Sequence, residues 1–202
     1  MYRFIESIRL ANGQMPLLPY HQERMARTRR AFYKNPPPVN LAGMLQPYAG
    51  AHPDGVYKIR VVYAREVLQV DILPYALKPI QSLLPVPSGQ LDYAWKYANR
   101  EGIRKLLERR GTCDDILLVR QGFVTDTSYC NVAFLSPSGA WLTPEAPLLP
   151  GTRRHYLLDR GVLQQAPIAL KDVDSFLRVR LFNAMILWEQ APEPIIRGTA
   201  VL

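Results

Sequence analysis

The sequence predicts an α+β fold made of two domains, and three features lead to this prediction. Residues 1–81 mix helical segments with strands rich in Val, Ile and Tyr. Residues 82–90 contain two prolines, two serines and a glycine, a composition typical of a linker. Residues 91–202 hold helical segments and a series of short strands separated by Gly and Pro turns. We therefore expect a small N-terminal domain over 1–81, a linker over 82–90 and a larger C-terminal domain over 91–202.

In the first domain, apolar periodicity and the positions of Gly and Pro predict three strands and two helices. In chain order these are a strand at 2–10, helices at 20–33 and 41–46, and strands at 56–63 and 67–73 that pair as a hairpin around the turn at 64–66. Asn12-Gly13 after the first strand is a strong hairpin signal. The prolines at 36–38 end the first helix, because proline lacks the N–H that a helix needs.

The second domain is predicted to begin with a helix at 97–110 that stops at Gly111. Short strands then follow at 115–120, 123–125, 132–135 and 141–143. A Pro-rich loop leads through Gly151 into a helix that ends at Gly161. The chain closes with a strand, a short helix and a strand.

The composition indicates a globular protein of a reducing compartment. Hydrophobic residues make up 48% of the 202 residues, which is enough for a sizeable core. We find no apolar run of membrane-spanning length, and Glu6 stands where a signal peptide needs an apolar stretch. The two cysteines, Cys113 and Cys130, do not make a disulfide framework. We therefore expect a cytoplasmic protein without a membrane partner.

The charge balance favours anionic partners. The 25 Lys and Arg residues outnumber the 17 Asp and Glu residues, which leaves a formal net charge of +8. Basic residues crowd at 24–30 and 100–110, but both segments also read as helices with a solvated face. We find no zinc-finger spacing, RNA-recognition signature or Gly-rich phosphate loop in the sequence. The net charge alone does not decide between nucleic acid and an anionic small molecule, and the missing motifs make nucleic acid the less favoured partner.

Three segments could carry chemistry, and none of them is a metal site, because the three histidines are far apart in sequence. Lys96 lies between Trp95 and Tyr97, and a lysine in apolar surroundings has a lowered pKa that suits a Schiff base. Gly151 opens a helix whose free N–H groups could bind a phosphate. Asp126, between two apolar strands, could accept a hydrogen bond from a protonated ring nitrogen. The alternatives are a surface lysine, an ordinary helix start and a turn aspartate.

Taken in order, these segments resemble the class IV aminotransferase family, the pyridoxal-phosphate enzymes of fold type IV. Five motifs carry the resemblance: Ile5-Glu6-Ser7-Ile8-Arg9, His21-Gln22-Glu23-Arg24-Met25, Lys96, the block from Asp114 to Asn131, and Leu149-Pro150-Gly151-Thr152-Arg153-Arg154. They are similar to Phe-Glu-Thr-Ile-Arg, His-x-x-Arg-Leu, the Schiff-base lysine, Asp-Glu-x-Leu-Leu … Val-Thr-Glu … Asn, and Leu-Pro-Gly-Ile-Thr-Arg of the family. Each motif is weak singly, but five in the right order are a strong signal.

The resemblance implies a fold like that of D-amino-acid aminotransferase, with a small α/β N-terminal domain and a larger C-terminal pseudo-barrel domain. It implies pyridoxal 5'-phosphate as the cofactor, Lys96 as its Schiff-base lysine and a homodimer as the assembly. Arg24, Gly151, Thr152 and Arg153 would hold the phosphate.

The sequence also departs from the family in three places. The chain begins close to the first shared motif, which predicts a trimmed small domain. Asp126 stands where the family has glutamate, so as partner of the ring nitrogen it needs a closer ring or a bridging water. Arg153 replaces a phosphate-binding threonine. We therefore expect the backbone amides there to bind the phosphate more than the side chains of Thr152 and Arg153 do.

Within the family, Lys96-Tyr97-Ala98-Asn99-Arg100 is similar to the Lys-x-x-Asn-Arg pattern of 4-amino-4-deoxychorismate lyase. Ser7 keeps a hydroxyl where that lyase has a threonine and the branched-chain transaminases have a glycine, and it could donate a proton to the leaving group. Arg100 is a candidate contact for a substrate carboxylate. We therefore predict the lyase reaction, which gives 4-aminobenzoate and pyruvate for folate synthesis.

Two alternatives to the lyase remain open. One is an amino-acid transaminase of the branched-chain or D-amino-acid type, which would need a second keto acid. The other is a non-catalytic homologue that binds nucleic acid through its basic helices. Pyruvate release without an amino acceptor supports the lyase, and salt-dependent oligonucleotide binding supports the third hypothesis.

Overall fold

The computed structural model describes residues 1–198, and these form two compact units. The first unit comprises Met1–Leu77 together with Trp95–Asn99. The second comprises Lys78–Ala94 and the chain from Arg100 onwards. Helices and sheets occur in both units, so the predicted two-domain α+β fold is confirmed.

The first unit is a three-stranded antiparallel sheet with two helices. Its elements in chain order are β1 (Phe4–Ala11), α1 (Leu18–Phe32), α2 (Leu41–Ala51), β2 (Val56–Tyr63) and β3 (Val67–Pro74). The sheet order is β1-β2-β3, with Phe4 opposite Tyr63 and Tyr57 opposite Pro74. The predicted hairpin of the last two strands is therefore confirmed.

Local sequence explains where the helices begin and end. A proline lies in the first turn of α1, where its missing N–H costs no hydrogen bond, and Pro36–Pro38 follow its end. The Asn40 side chain caps α2 by accepting a hydrogen bond from the Gly43 N–H at 3.1 Å. One face of β1 packs against the helices, so that Phe4, Ile8 and Leu10 join the buried core.

The hairpin prediction at Asn12-Gly13 is wrong. The two residues do turn the chain, with φ of 49° and 71°, but only Ala11 and Gln14 pair across the turn. Pro16 then offers no N–H for a ladder, and α1 begins at Leu18. The strand that pairs with β1 is β2, which returns after both helices.

The second unit contains two four-stranded sheets that share an apolar core. Its elements in chain order are β4 (Ser82–Pro87), α3 (Glu101–Leu107), β5 (Asp115–Arg120), β6 (Phe123–Thr127), β7 (Asn131–Leu135), β8 (Trp141–Pro144), α4 (Thr152–Asp159), β9 (Gln164–Ala166), β10 (Arg178–Phe182) and β11 (Ile195–Ile196). One sheet has the order β11-β4-β5-β6 and the other β10-β7-β8-β9. Leu83 and Leu117 of the first sheet and Phe134 and Leu181 of the second share the core.

The predicted linker at 82–90 is corrected by the structure, because most of it is strand β4. This strand pairs in parallel with β5, and Leu83 and Val86 are buried. The free energy gained by burying these apolar side chains outweighs the turn-forming tendency of Pro85 and Pro87. We predicted a first domain that ends at residue 81 and a second that begins at residue 91. In the structure the first unit ends at Leu77 and the second begins at Lys78, and the segment Trp95–Asn99 belongs to the first unit.

Lys96 is grouped with the first unit rather than with the second, contrary to the predicted domain assignment. The Ile5 N–H donates to the Lys96 carbonyl at 2.9 Å, and the Ala98 N–H donates to the Arg3 carbonyl at 2.8 Å. These two bonds add residues 95–99 to the edge of β1. They also explain why the helix predicted from residue 97 begins only at Glu101. Across residues 1–198, no helix is both long and apolar enough to cross a membrane.

Candidate functional site

A buried carboxylate organises the polar residues of the first unit. Glu6, on β1, is fully buried and faces α1, where His21 and Arg24 lie about one helical turn apart. Arg24 Nε donates to Glu6 Oε1 at 3.0 Å, and Arg24 Nη2 donates to Oε2. His21 Nδ1 lies 2.6 Å from the same Oε2. The Glu6 carboxylate therefore holds the Arg24 guanidinium in a fixed orientation.

The charges of this cluster follow from its contacts. Burial alone raises the pKa of Glu6, but the Arg24 guanidinium and the His21 hydrogen bond lower that pKa to about 2. Burial lowers the pKa of His21, so its ring is neutral at neutral pH and its Nδ1–H donates to Glu6. His21 Nε2 is then a buried acceptor, and it has no hydrogen-bond partner among residues 1–198.

Lys96 lies on the edge of the same sheet. Phe4 is opposite Tyr97 with ring centroids 5.3 Å apart, so Lys96 is opposite Ile5. Because side chains alternate along a strand, Lys96 lies on the face of Ile5 and Ser7, and Glu6 lies on the other face. The Lys96 charge also lowers the pKa of His21. The structure thus brings two predicted catalytic residues, Ser7 and Lys96, to one sheet face.

In the second unit, the buried carboxylate of Asp126 on β6 accepts its hydrogen bonds from neutral donors. Asn131 Nδ2 donates to its Oδ1 at 2.6 Å, and the Leu149 N–H donates to its Oδ2 at 2.8 Å. Burial raises the pKa of Asp126 to about 7, although these donors and the charge of Arg154 lower it. Asp126 is therefore able to accept a further hydrogen bond from a cationic donor.

The start of α4 has the features of an anion site. Gly151 is its N-cap, and no acidic side chain lies in the first turn of this fully described helix. The Thr152 Oγ1 is buried and has no hydrogen-bond partner among residues 1–198. Arg153 is buried with its guanidinium 5.9 Å from the centre of the Tyr156 ring. Helix N–H groups, a free hydroxyl and a nearby cation together suit a phosphate.

Arg100, in the second unit, contacts the turn that follows β6. Its guanidinium Nη2 donates to the Ser128 carbonyl at 2.6 Å, two residues after Asp126. It lines an open cavity of about 380 Å³ together with Ile103, Leu107 and Asp115. The predicted contact of Arg100 with a substrate carboxylate stays a prediction.

Sequence reasoning missed Glu6, His21 and Asn131 as members of the site. For Glu6 a signal was present, because it interrupts the apolar alternation of Phe4, Ile8 and Leu10 with a charge. Nothing in the local pattern of Asn131 predicted its contacts, because its partners lie on another strand and in a distant loop. In the part of the chain that is described, no group of three or more His, Cys, Asp or Glu residues is placed to hold a metal ion.

Comparison with known proteins identifies one family that matches this chain. The model of the family described as amino-transferase class IV matches residues 3–191. An uncharacterized protein from Haemophilus influenzae is 32% identical over 187 residues, which cover 92% of this chain and 98% of that protein.

Two solved structures support the same fold. One, named "putative 4-amino-4-deoxychorismate lyase" from Haemophilus somnus 129PT, is 31% identical with a TM-score of 0.86, and the match covers 92% of this chain and 97% of that one. The other is the pyridoxal-phosphate-bound form of a hypothetical aminotransferase from Mycobacterium tuberculosis. It is 16% identical with a TM-score of 0.79, covers 98% of this chain and 82% of that one, and shows likeness of fold alone.

Proposed function

The chain belongs to the class IV aminotransferase family, and from that membership we propose that it is a lyase that converts 4-amino-4-deoxychorismate to 4-aminobenzoate and pyruvate. Pyridoxal phosphate is the cofactor of this family. The lyase assignment is supported by the name of the Haemophilus somnus relative and by the Lys96 to Arg100 motif.

The residues of each unit suit this cofactor. In the second unit, the free Thr152 hydroxyl and the start of α4 suit the phosphate, with the amides of Gly151 and Arg153 beside them. Asp126 offers the ring nitrogen a buried carboxylate.

In the first unit, we assign the Schiff base to Lys96 and a phosphate contact to Arg24, which Glu6 already orients.

The lyase reaction needs one base and one acid from the chain. Bound pyridoxal phosphate supplies an electron sink for the pair left when the proton beside the substrate amine departs. The Lys96 amine accepts that proton. The carbon–oxygen bond to the enolpyruvyl group then breaks, and Ser7 donates a proton to the leaving enol, which becomes pyruvate. Substrate and products balance without water, oxidant or amino acceptor.

One observation favours the lyase over a transaminase: the Ser7 hydroxyl lies on the sheet face that carries Lys96. A transaminase returns the proton through its lysine and needs no second acid at this position. A hydroxyl beside the lysine serves a reaction in which a leaving group must be protonated.

The cofactor assignment is tested by an absorption spectrum of the protein with added pyridoxal phosphate. We expect a near-visible band that borohydride removes, and we expect Lys96→Ala to lose it. Lys105→Ala is the matched control, because Lys105 is exposed on α3, where it pairs with Glu101 at 3.4 Å. If Lys96→Ala keeps the band as Lys105→Ala does, the assignment of Lys96 is wrong.

The reaction assignment is tested by pyruvate release from 4-amino-4-deoxychorismate. We expect pyruvate to appear in equal amount to 4-aminobenzoate with no keto acid added. Turnover that depends on an added keto acid would instead identify a transaminase.

We also propose that the protein works as a cytoplasmic homodimer, as the family resemblance implies. The two cysteines, Cys113 and Cys130, are free and buried, which is compatible with a reducing compartment. Light scattering coupled to gel filtration measures the assembly directly. A monomeric mass at micromolar concentration would contradict the dimer.

A further inference from the structure

Asn131 joins two parts of the second unit that the proposed function assigns to different groups of the cofactor, the ring nitrogen and the phosphate. It is the first residue of β7 and is only 6% exposed. Its Nδ2 donates to Asp126 Oδ1 at 2.6 Å and to the Leu149 carbonyl at 2.9 Å. Both amide hydrogens are therefore used, one on the carboxylate and one on the turn before α4.

The orientation of the Asn131 amide is determined by these partners. Both atoms that Nδ2 approaches are acceptors, and an inverted amide would place Oδ1 against a carboxylate and a carbonyl. Both backbone groups of Leu149 are hydrogen-bonded, because its carbonyl accepts from Asn131 Nδ2 and its N–H donates to Asp126 Oδ2 at 2.8 Å. Asp126, Asn131 and Leu149 thus form a closed set of three hydrogen bonds.

The other side of the Asn131 amide touches the helix start. A Cβ atom on Gly151 would lie 2.1 Å from Asn131 Oδ1, a distance that no side chain tolerates. Gly151 has an ordinary φ of −73°, so close approach rather than backbone conformation requires glycine here. The position of the Asn131 side chain therefore fixes how near residue 151 comes to β7.

We propose that Asn131 is a positioning residue that holds the Asp126 carboxylate and the Leu149–Gly151 turn at a fixed distance from each other. The proposed partner of the ring nitrogen and the phosphate-binding start of α4 then keep a constant spacing. This inference rests on the proposed use of pyridoxal phosphate. We assign Asn131 no direct contact with the cofactor. Its effect is exerted through Asp126 on one side and through the turn before α4 on the other.

The test compares the affinity of the apoprotein for pyridoxal phosphate with its affinity for pyridoxal, which lacks the phosphate. Both probes form the same bond with Lys96, so the ratio of the two affinities isolates the phosphate contacts. Asn131→Ala frees the Leu149 carbonyl and the turn, and we expect the ratio to fall about tenfold or more, as for loss of a hydrogen bond to a charged group. Gly151→Ala displaces the amide and lowers the ratio as well.

The double variant Asn131→Ala/Gly151→Ala sharpens the test. With the Asn131 amide removed, the new methyl group no longer meets Oδ1. We therefore expect the double variant to lose no more affinity for pyridoxal phosphate than Asn131→Ala alone. Additive losses would show that the two residues act independently and would overturn the proposal.

A second readout follows the carboxylate without any ligand. Carbon-13 NMR of labelled aspartate carboxyls, assigned with Asp126→Asn, gives the titration of Asp126 in the apoprotein. Asn131 stabilises the ionised form by its hydrogen bond, so we expect Asn131→Ala to raise the pKa of Asp126 above about 7. Asn131→Ser, which keeps one donor, serves if Asn131→Ala does not fold, and we expect a smaller shift.

A matched control separates positioning from general stability. Asn40→Ala removes the cap of α2 in the first unit, and we expect it to lower the melting temperature but not the affinity ratio. If Asn131→Ala behaves like Asn40→Ala, with the ratio and the Asp126 titration unchanged, Asn131 is only structural. If the wild type binds neither probe, the proposed function fails and this inference fails with it.

Discussion

Replacing Glu6 by glutamine should destabilise the first unit far more than replacing an exposed glutamate does. Glu6 is fully buried and Arg24 is 7% exposed, so the neutral amide leaves a buried cation without its counter-charge. Removing one member of a buried pair costs about 3–5 kcal/mol. The pKa of Glu6 leads to a similar figure, because a shift from 4.5 to about 2 corresponds to about 3 kcal/mol.

The pH dependence of this effect has a definite sign. The pKa of Glu6 is lower in the folded protein than in the unfolded chain, so the folded state gains from its ionised form. That stabilisation is fully present above pH 4.5 and is lost as the pH falls towards about 2. The free energies of unfolding of the wild type and Glu6→Gln should therefore differ at pH 7 and converge in acid.

Urea denaturation followed by circular dichroism, repeated from pH 7 down to pH 2, measures this difference. Hydrogen exchange of the β1 amides localises the loss to the first unit. Glu101→Gln is the control, because Glu101 pairs with Arg104 and Lys105 on the exposed face of α3 and should change the stability by less than about 1 kcal/mol. If Glu6→Gln costs no more than this control at pH 7, or if the difference persists in acid, the charge argument is refuted.

A second variant tests whether the Arg24 charge, no longer balanced by Glu6, is the cause. Glu6→Gln/Arg24→Met removes the buried charge as well as its partner. We expect this double variant to be more stable than Glu6→Gln alone, because an apolar side chain replaces a buried ion whose Glu6 counter-charge is gone. Equal or lower stability would mean that lost packing, not charge, explains the effect.

Two further predictions concern Ser7, the proposed proton donor, and the buried carboxylate of Asp126. Ser7→Ala should lower the rate of pyruvate release about a hundredfold and leave the cofactor band unchanged, whereas Ser7→Thr should keep most of the rate, as steady-state assays can show. Asp126 has its pKa raised to about 7, so its burial favours the protonated form and the protein loses stability as the pH rises from 3.8 to 7. Urea denaturation should show the apoprotein losing stability relative to Asp126→Asn over this range by up to about 4 kcal/mol, and parallel curves would contradict the assignment.

The sequence predicted most elements because their signals are local. The β2–β3 hairpin, α1 and strands β5 to β8 are each defined by short apolar runs between turn residues, and they appear within a few residues of their predicted bounds. The two larger errors have the same cause. Pro85 and Pro87 read as a linker, and residues 97–100 read as helix, but pairing with distant strands decides both.

The candidate site divides in the same way. Lys96, Arg24 and Asp126 could be predicted as site residues because each belongs to a short motif that resembles the family. Glu6 and Asn131 act through partners that are distant in sequence or lie on another element, so spacing alone carries no signal for their contacts.

Two of the buried carboxylates, those of Glu6 and Asp126, differ in how their charge is balanced. Glu6 has the full positive charge of Arg24 in contact, and its pKa falls to about 2 in spite of burial. Asp126 is hydrogen-bonded by the Asn131 amide and the Leu149 N–H, which are dipoles, and Arg154 directs its hydrogen bonds to the Pro144 carbonyl and Gln165.

Dipoles recover only part of the solvation that a carboxylate loses on burial, so the pKa of Asp126 stays near 7. A protonated ring nitrogen would supply the missing positive charge and would itself keep its proton because of the carboxylate. Binding of such a ring must therefore lower the pKa of Asp126, and the same interaction energy must strengthen the binding as the pH rises through 7.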